Sequence, residues 1–162
     1  MSEPIFRAAR DEDIADIRRI AQAAWAPIYA HFRDAMGEDL WRREHPADPL
    51  ECKADSVERH FRERPDEAFV VELDGAVVGF CTYALGGNGV GVITNNAIDP
   101  AMQGRGIGTA QYREVLQRFR EAGMVYAKVG TGLDPSHAAA RRAYEKVGFE
   151  QVRPHVEYYL TL

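Results

Sequence analysis

The chain has 162 residues, 46% hydrophobic and 28% charged, with a formal net charge of −5. That length suits one domain over residues 1–162 with one substantial core, and the composition excludes a disordered or fibrous chain. The acidic balance offers nothing global to nucleic acid or to an anionic membrane, and no apolar run approaches a membrane span or a leader segment. Cys52 and Cys81 have no metal-ligand spacing and make no disulfide framework, so a reduced, cytoplasmic setting without a bound metal is expected.

In chain order, residues 4–9 read as a strand and Asp11 as the N-cap of a helix whose first turn is acidic. Ile14, Ile17, Ala21, Ala24 and Ile28 recur at helical spacing, and Pro27 predicts a bend or break near residue 26. Residues 28–63 read as helix punctuated by Gly37, Pro46 and Pro49. The period then changes. "AFVVEL" and "AVVGFCTYAL" flank the hairpin dipeptide "DG", and "VGVITNNAID" follows the turn "GGNG" as a third strand. A helix ending at Gly123 carries Ile107, Val115, Leu116 and Phe119 on one face. "MVYAKVG" reads as a strand, "SHAAARRAYEKV" as a helix closed by Gly148, and "FEQV" and "HVEYYL" as two last strands around Pro154. The fold class is therefore α/β, with a mixed, mostly antiparallel sheet of about seven strands and helices on both faces.

One turn stands out. In "IDPAMQGRGIGTA" three glycines precede a helix directly after a strand. The first N–H groups of a helix lack internal partners and carry partial positive charge, so glycines there let a phosphate approach, and Arg105 adds a charged donor. The spacing fits neither the dinucleotide fingerprint, because Thr109 stands where a glycine is required, nor the Gly-Lys-Ser/Thr loop of nucleotide hydrolases. A tight helix entry serving only packing remains the alternative reading.

"QGRGIG" also satisfies the Gln/Arg-x-x-Gly-x-Gly/Ala signature of the GNAT superfamily of N-acetyltransferases, which the chain resembles over nearly its whole length. "IFRAARDEDIADI" looks like that family's first strand and helix, "NAIDPAMQGRGIG" like its fourth strand and pyrophosphate loop, and "AYEKVGF" like its distal helix and following strand. The resemblance implies acetyl-CoA as co-substrate. It implies that Gln103, Gly104, Arg105, Gly106, Ile107, Gly108 and Thr109 cradle the pyrophosphate, and that the strand around Ala97 and Ile98 hydrogen-bonds the pantetheine arm.

Moving an acetyl group to an amine requires a neutral amine, a donor for the oxyanion and a proton for the departing thiolate. An amine of pKa about 10.4 is neutral only about 0.1% of the time near pH 7.4, a penalty of roughly 4 kcal/mol. Alignment of the two reactants offsets about 7–11 kcal/mol in favourable cases, so positioning carries most of the reaction. Tyr144, in "YEKVGF", stands where the family places a tyrosine near the sulfur, and a phenol of pKa about 10 can protonate a thiolate; the alternative is an aromatic filling the helix–sheet interface. No base stands out. Asn95 and Asn96 cannot accept a proton, Asp99 beside Pro100 reads as a turn residue, and His31, Asp34, His155 and Glu157 remain candidates. His137 falls seven residues before Tyr144, where the family has an asparagine on the cofactor arm; it either keeps that contact or helps cap the helix. Arg141 and Arg142 read as cofactor phosphate ligands or as a solvated face.

Trp25, Tyr29 and Phe32 follow at helical spacing and are either core or, as the resemblance implies, a wall of the acceptor site together with Asn95 and Asn96. The expected activity is acetyl transfer to a primary amine of a small molecule by an enzyme that needs no nucleic acid or membrane and is compatible with a homodimer. A protein N-terminal or lysine acetyltransferase and a non-catalytic acetyl-CoA sensor are the competing readings.

Overall fold

The computed structural model describes residues 2–162. Five strands among them form one sheet in sequence order: β1 (Ile5–Arg7), β2 (Ala68–Leu73), β3 (Ala76–Leu85), β4 (Val90–Ile98) and β5 (Tyr126–Val129). The first four pair antiparallel, and β5 joins β4 in parallel. The β2–β3 turn has positive φ at both Asp74 and Gly75, the type I′ geometry that "DG" favours because its twist matches that of the strands. Burial on both faces explains why β2 and β3 read as continuous apolar runs instead of alternating ones.

Helices α1 (Ile14–Met36), α2 (Glu38–Glu44) and α3 (Pro49–Glu63) precede β2; α4 (Ile107–Glu121) links β4 to β5, and α5 (Ala138–Lys146) follows β5. Ile17, Ile20 and Ala21 of α1 with Val57 and Phe61 of α3 pack on Val70, Phe80 and Ala97. On the opposite face Ile107, Tyr112, Val115 and Phe119 of α4 and Tyr144 of α5 pack on Phe69, Cys81, Tyr83 and Ile93. A Cβ at Gly91 would stand 2.7 Å from the Phe119 ring, so that glycine lets α4 lie close on β4. No helix among the described residues is long and apolar enough to cross a membrane.

Three expectations need correction. Pro27 does not break α1, which runs unbroken to Met36; its ring lies on the exposed side, and the helix is held by tertiary burial upstream of it. Asp11 does not cap α1 directly, since Asp11–Asp13 form a 3-10 turn and the helix begins at Ile14. "FEQV" and "HVEYYL" do not form strands: residues 150–162 have no regular structure and are exposed, so the sheet has five strands and not about seven. Apolar alternation marks what a segment could bury, but a strand exists only with a partner, and here the outer edge of the four-residue β5 is unpaired.

The N-terminal corner is tied by charge. The buried Asp13 carboxylate accepts two N–H groups of Arg7, at 2.7 and 2.9 Å, and the Arg10 backbone N–H at 2.7 Å, while Arg7 Nε reaches Glu72 on β2 at 2.6 Å. The Arg7 hydrogen bonds hold Asp13 below the usual carboxylate range against the opposing effect of burial. A depressed pKa means that this stabilisation is present above the unfolded value of about 3.9 and is lost as pH falls through the lower folded value. Asp13→Asn is therefore expected to lower unfolding free energy by about 2 kcal/mol at neutral pH. It should also lose less stability than wild type on acidification to about pH 3, both read by urea unfolding; equal acid sensitivity would show that the pair contributes little.

Candidate active site

The sheet parts in its middle. Thr82 pairs with Asn95 but Tyr83 pairs with Ile93, so Thr94 is an extra, bulged residue in β4. The parallel pairing to β5 ends at the same place, with Ile93 against Val129. From Asn95 to Ile98 the strand keeps β3 on one side and, among the described residues, has no strand on the other. The Asp99 N–H donates to the Val78 carbonyl at 2.8 Å. Because successive residues address alternate neighbours, Ile98 and Asn96 direct their backbone groups toward the vacated side. Ala97 lies in the core against the α1–α3 layer.

The glycine turn closes one end of this gap. Gly104 and Gly106 have φ of 77° and 83°, a backbone other residues enter only with strain, and Gly106 is the N-cap of α4. No side chain caps the helix, so its first N–H groups are left for a ligand or solvent. The Gln103 side chain donates to the Ile98 carbonyl at 3.2 Å and ties the turn to the end of the strand. Ile107 is buried, Arg105 and Thr109 are not, and an open cleft of about 370 Å³ lies beside Arg105, Gly106 and Ile107.

The middle of the gap is lined by phenols. Asn96 donates from Nδ2 to the Tyr144 hydroxyl at 3.1 Å and accepts from the Tyr112 hydroxyl at 2.6 Å, and the two rings lie 4.8 Å apart. Burial raises the Tyr144 phenol above its ordinary value, partly offset by the Asn96 hydrogen bond, so it is protonated at neutral pH. Burial pushes Tyr112 up as well. Tyr144 thus stands 6% exposed with its own O–H proton not spent on Asn96.

At the start of α5 the Asp134 carboxylate accepts the Ser136 N–H and pairs with His137 Nδ1 at 2.7 Å. Burial opposes ionisation of Asp134, and the Ser136 and His137 contacts outweigh it, leaving its pKa at about 2. Arg141 donates to the carbonyls of Gly132 and Asp134, while Arg142 is exposed. The His137 ring also faces Phe32 of α1, 6.1 Å away.

On the other face of β4, Asn95 turns toward α1 and α3. Its Nδ2 donates to the buried Thr82 hydroxyl at 3.1 Å, which aims Oδ1 at Lys53 Nζ, also at 3.1 Å. Lys53 lies 4.7 Å from the centre of the Trp25 ring. Tyr29 is half-buried and stands 6.0 Å from Trp41, which stacks on His45. Asp99 binds Arg19 at 2.7 Å and accepts the Ala101 N–H, the turn role its place beside Pro100 suggested. His155 and Glu157 meet each other in the exposed tail, and the Asp34 side chain is also exposed.

Sequence reasoning missed Tyr112 and Lys53. Tyr112 could have been noticed as a polar-tipped aromatic in register with Ile107, Val115 and Phe119; Lys53 carries no local signal. Asn96→Ala would leave the Tyr112 hydroxyl unpaired in a buried place and is expected to cost about 1–3 kcal/mol of unfolding free energy. A urea midpoint equal to wild type would show that the hydroxyl finds another partner.

The site is thus a bulged strand parted from its parallel neighbour, with a glycine-opened helix at one end of the gap and a buried phenol beside it. The chain belongs to the acetyltransferase (GNAT) family, whose sequence model matches residues 25–149. It is 45% identical over 62 residues to the N-alpha-acetyltransferase RimI of Mycobacterium tuberculosis, a match covering 38% of this chain and 36% of that protein. The match thus spans about a third of that curated relative's length. Among solved structures it is similar to a GNAT family acetyltransferase from Brucella melitensis in complex with acetyl-CoA, at 23% identity and a TM-score of 0.62 over 93% of this chain and 85% of that one. It is also similar to the aminoglycoside N-acetyltransferase AAC(6')-Iy in complex with CoA, at 16% identity and a TM-score of 0.65 over 100% and 97% of the two chains. At these identities the two structures establish the fold.

Proposed function

We propose that residues 1–162 act as a single N-acetyltransferase domain that moves an acetyl group from acetyl-CoA to a primary amine of a small molecule. The observation that carries this reading is the unpaired stretch of β4 between the glycine turn and Tyr144. The backbone of Gln103–Thr109 would hold the diphosphate, and the free edge at Asn96 and Ile98 would take the pantetheine arm as a further strand. Acetyl-CoA supplies an activated thioester carbonyl. The neutral amine nitrogen would bond to that carbon and lose a proton to water, the carbon–sulfur bond would break, and Tyr144 would give its proton to the thiolate and regain one from solvent. A backbone N–H on the free edge serves the oxyanion. His137, held by Asp134 at the mouth of α5, is assigned to the cofactor arm.

A second reading has a specific observation behind it. Among the described residues no carboxylate or imidazole joins the Asn96–Tyr144 cluster as a base, so an acceptor that is already partly neutral suits the site. A peptide α-amine, with pKa about 7.7–8.0, is neutral in roughly a fifth to a third of molecules near pH 7.4. Together with the likeness to an N-alpha-acetyltransferase, this favours a polypeptide N-terminus as the alternative acceptor.

Acetyl-CoA turnover against amines and peptides tests the reading. Tyr144→Phe is expected to lower kcat about 100-fold with little change in KM for acetyl-CoA. Because the Tyr144 pKa is raised, the wild-type rate should climb as the amine deprotonates and show no descending limb below about pH 10. Unchanged kcat in the variant would remove the acid assignment. The turn has its own test. A Cβ at Gly108 meets only Ile98 Cγ1, at an ordinary 3.7 Å. Gly108→Ala should therefore leave the Tm equal or higher, since alanine favours helix by up to about 1 kcal/mol, yet weaken CoA binding tenfold or more by calorimetry. Unaltered affinity would mean that no ligand approaches that amide closely.

A further inference from the structure

We infer that Lys53 is a specificity-determining residue of the acceptor site, selecting an amine whose molecule also carries a carboxylate. The inference rests on the acetyl-transfer reading for the side from which the acceptor arrives. Asn95 and Asn96 are neighbours on β4 whose side chains take opposite faces, Asn96 toward Tyr144 and Asn95 toward Lys53. An acceptor lying against Lys53 therefore sits on the far side of the strand edge from the phenol, with its amine free to reach over that edge.

The cation lacks a counter-ion. Its contacts are one amide oxygen and the Trp25 ring, and among the described residues no carboxylate lies within the 4.0 Å ion-pair limit of Nζ. Of the carboxylates sharing its helix, Glu51, Asp55 and Glu58 all turn to Arg18, and Glu63 stands exposed at the far end of the helix. Of the half-buried arginines, Arg7, Arg18 and Arg118 each hold at least one carboxylate, and Arg141 is held by the carbonyls of Gly132 and Asp134. Burial pulls the Lys53 ammonium below its ordinary pKa, as expected of a charge whose compensation is missing. A ligand carboxylate would restore that compensation, whereas a polycationic acceptor would be repelled. The Trp25 face beside it offers apolar area for the body of the same ligand.

The experiment is calorimetric binding to the full chain with CoA present, using two matched pairs: phenylalanine against phenylalaninamide, and the tripeptide amide Asp-Ala-Ala against Asn-Ala-Ala. In at least one pair the member with the extra carboxylate should bind tenfold or more tightly to wild type. That preference should vanish in Lys53→Met and persist in Lys53→Arg. Lys53→Gln provides the same comparison if the methionine variant does not fold. The pair that responds tells a free amino acid from a peptide end. No preference in wild type, no binding of any probe, or a preference that survives loss of the charge overturns the inference. Carboxylate binding that depends on Lys53, in a chain that acetylates none of these amines when acetyl-CoA replaces CoA, upholds the carboxylate site and removes the acetyl-transfer reading instead.

Discussion

The parting of β4 from β5 at Thr94 is the constraint on which everything else in the molecule depends. Ile93 is the last residue of β4 with a partner on both sides, and the extra residue inserted after it disrupts the ladder where the two strands separate. The bulge is held by the Thr82 hydroxyl, which is fully buried and accepts both the backbone and the side-chain N–H of Asn95 while meeting the Thr94 hydroxyl at 2.8 Å. The ladder with β5 ends where the bulge falls, and among the described residues the backbone beyond it is left free on that side. There a strand buried in the middle of a protein presents an open edge, a place where extended ligands add as strands do.

The two faces of that edge have different chemistry. Toward α4 and α5 the groups are neutral and desolvated: two phenols joined by one amide, with their protons held on by burial. Toward α1 and α3 stands a cation with an aromatic face. Each face is positioned by one of two adjacent asparagines, and each asparagine is oriented by a hydroxyl on its own side, Thr82 for Asn95 and Tyr112 for Asn96. The site is stiff because these amides have partners at both ends, and little side-chain freedom is left to lose on binding.

Much of this was legible in local chemistry. Positive-φ demands at Gly104 and Gly106, the "DG" turn, the glycine stops at 123 and 148 and the apolar face of α4 follow from the conformational rules of short segments, and the chain obeys them. Tyr144 could be singled out because the helix and glycine around it have a recognisable pattern. Tyr112 was legible only as a polar-tipped aromatic in the core stripe, and Lys53 not at all, because neither residue shows along the chain whether an asparagine 16 or 42 residues distant meets it. The last 13 residues, 150–162, show the opposite case: alternation that reads as strand, but exposed and without a sheet partner.

The sequence by itself determined the helices, the meander of β2 to β4 and the glycine-opened turn, since each depends on torsions and periodicity within a few residues, but not whether the last apolar segments would find a sheet to join. Tertiary structure decided where the ladder stops, which amides and hydroxyls meet, and which charge is left without a partner. Those are matters of pairing between distant segments, and a side chain's environment, unlike its backbone preference, is not written in its neighbours along the chain.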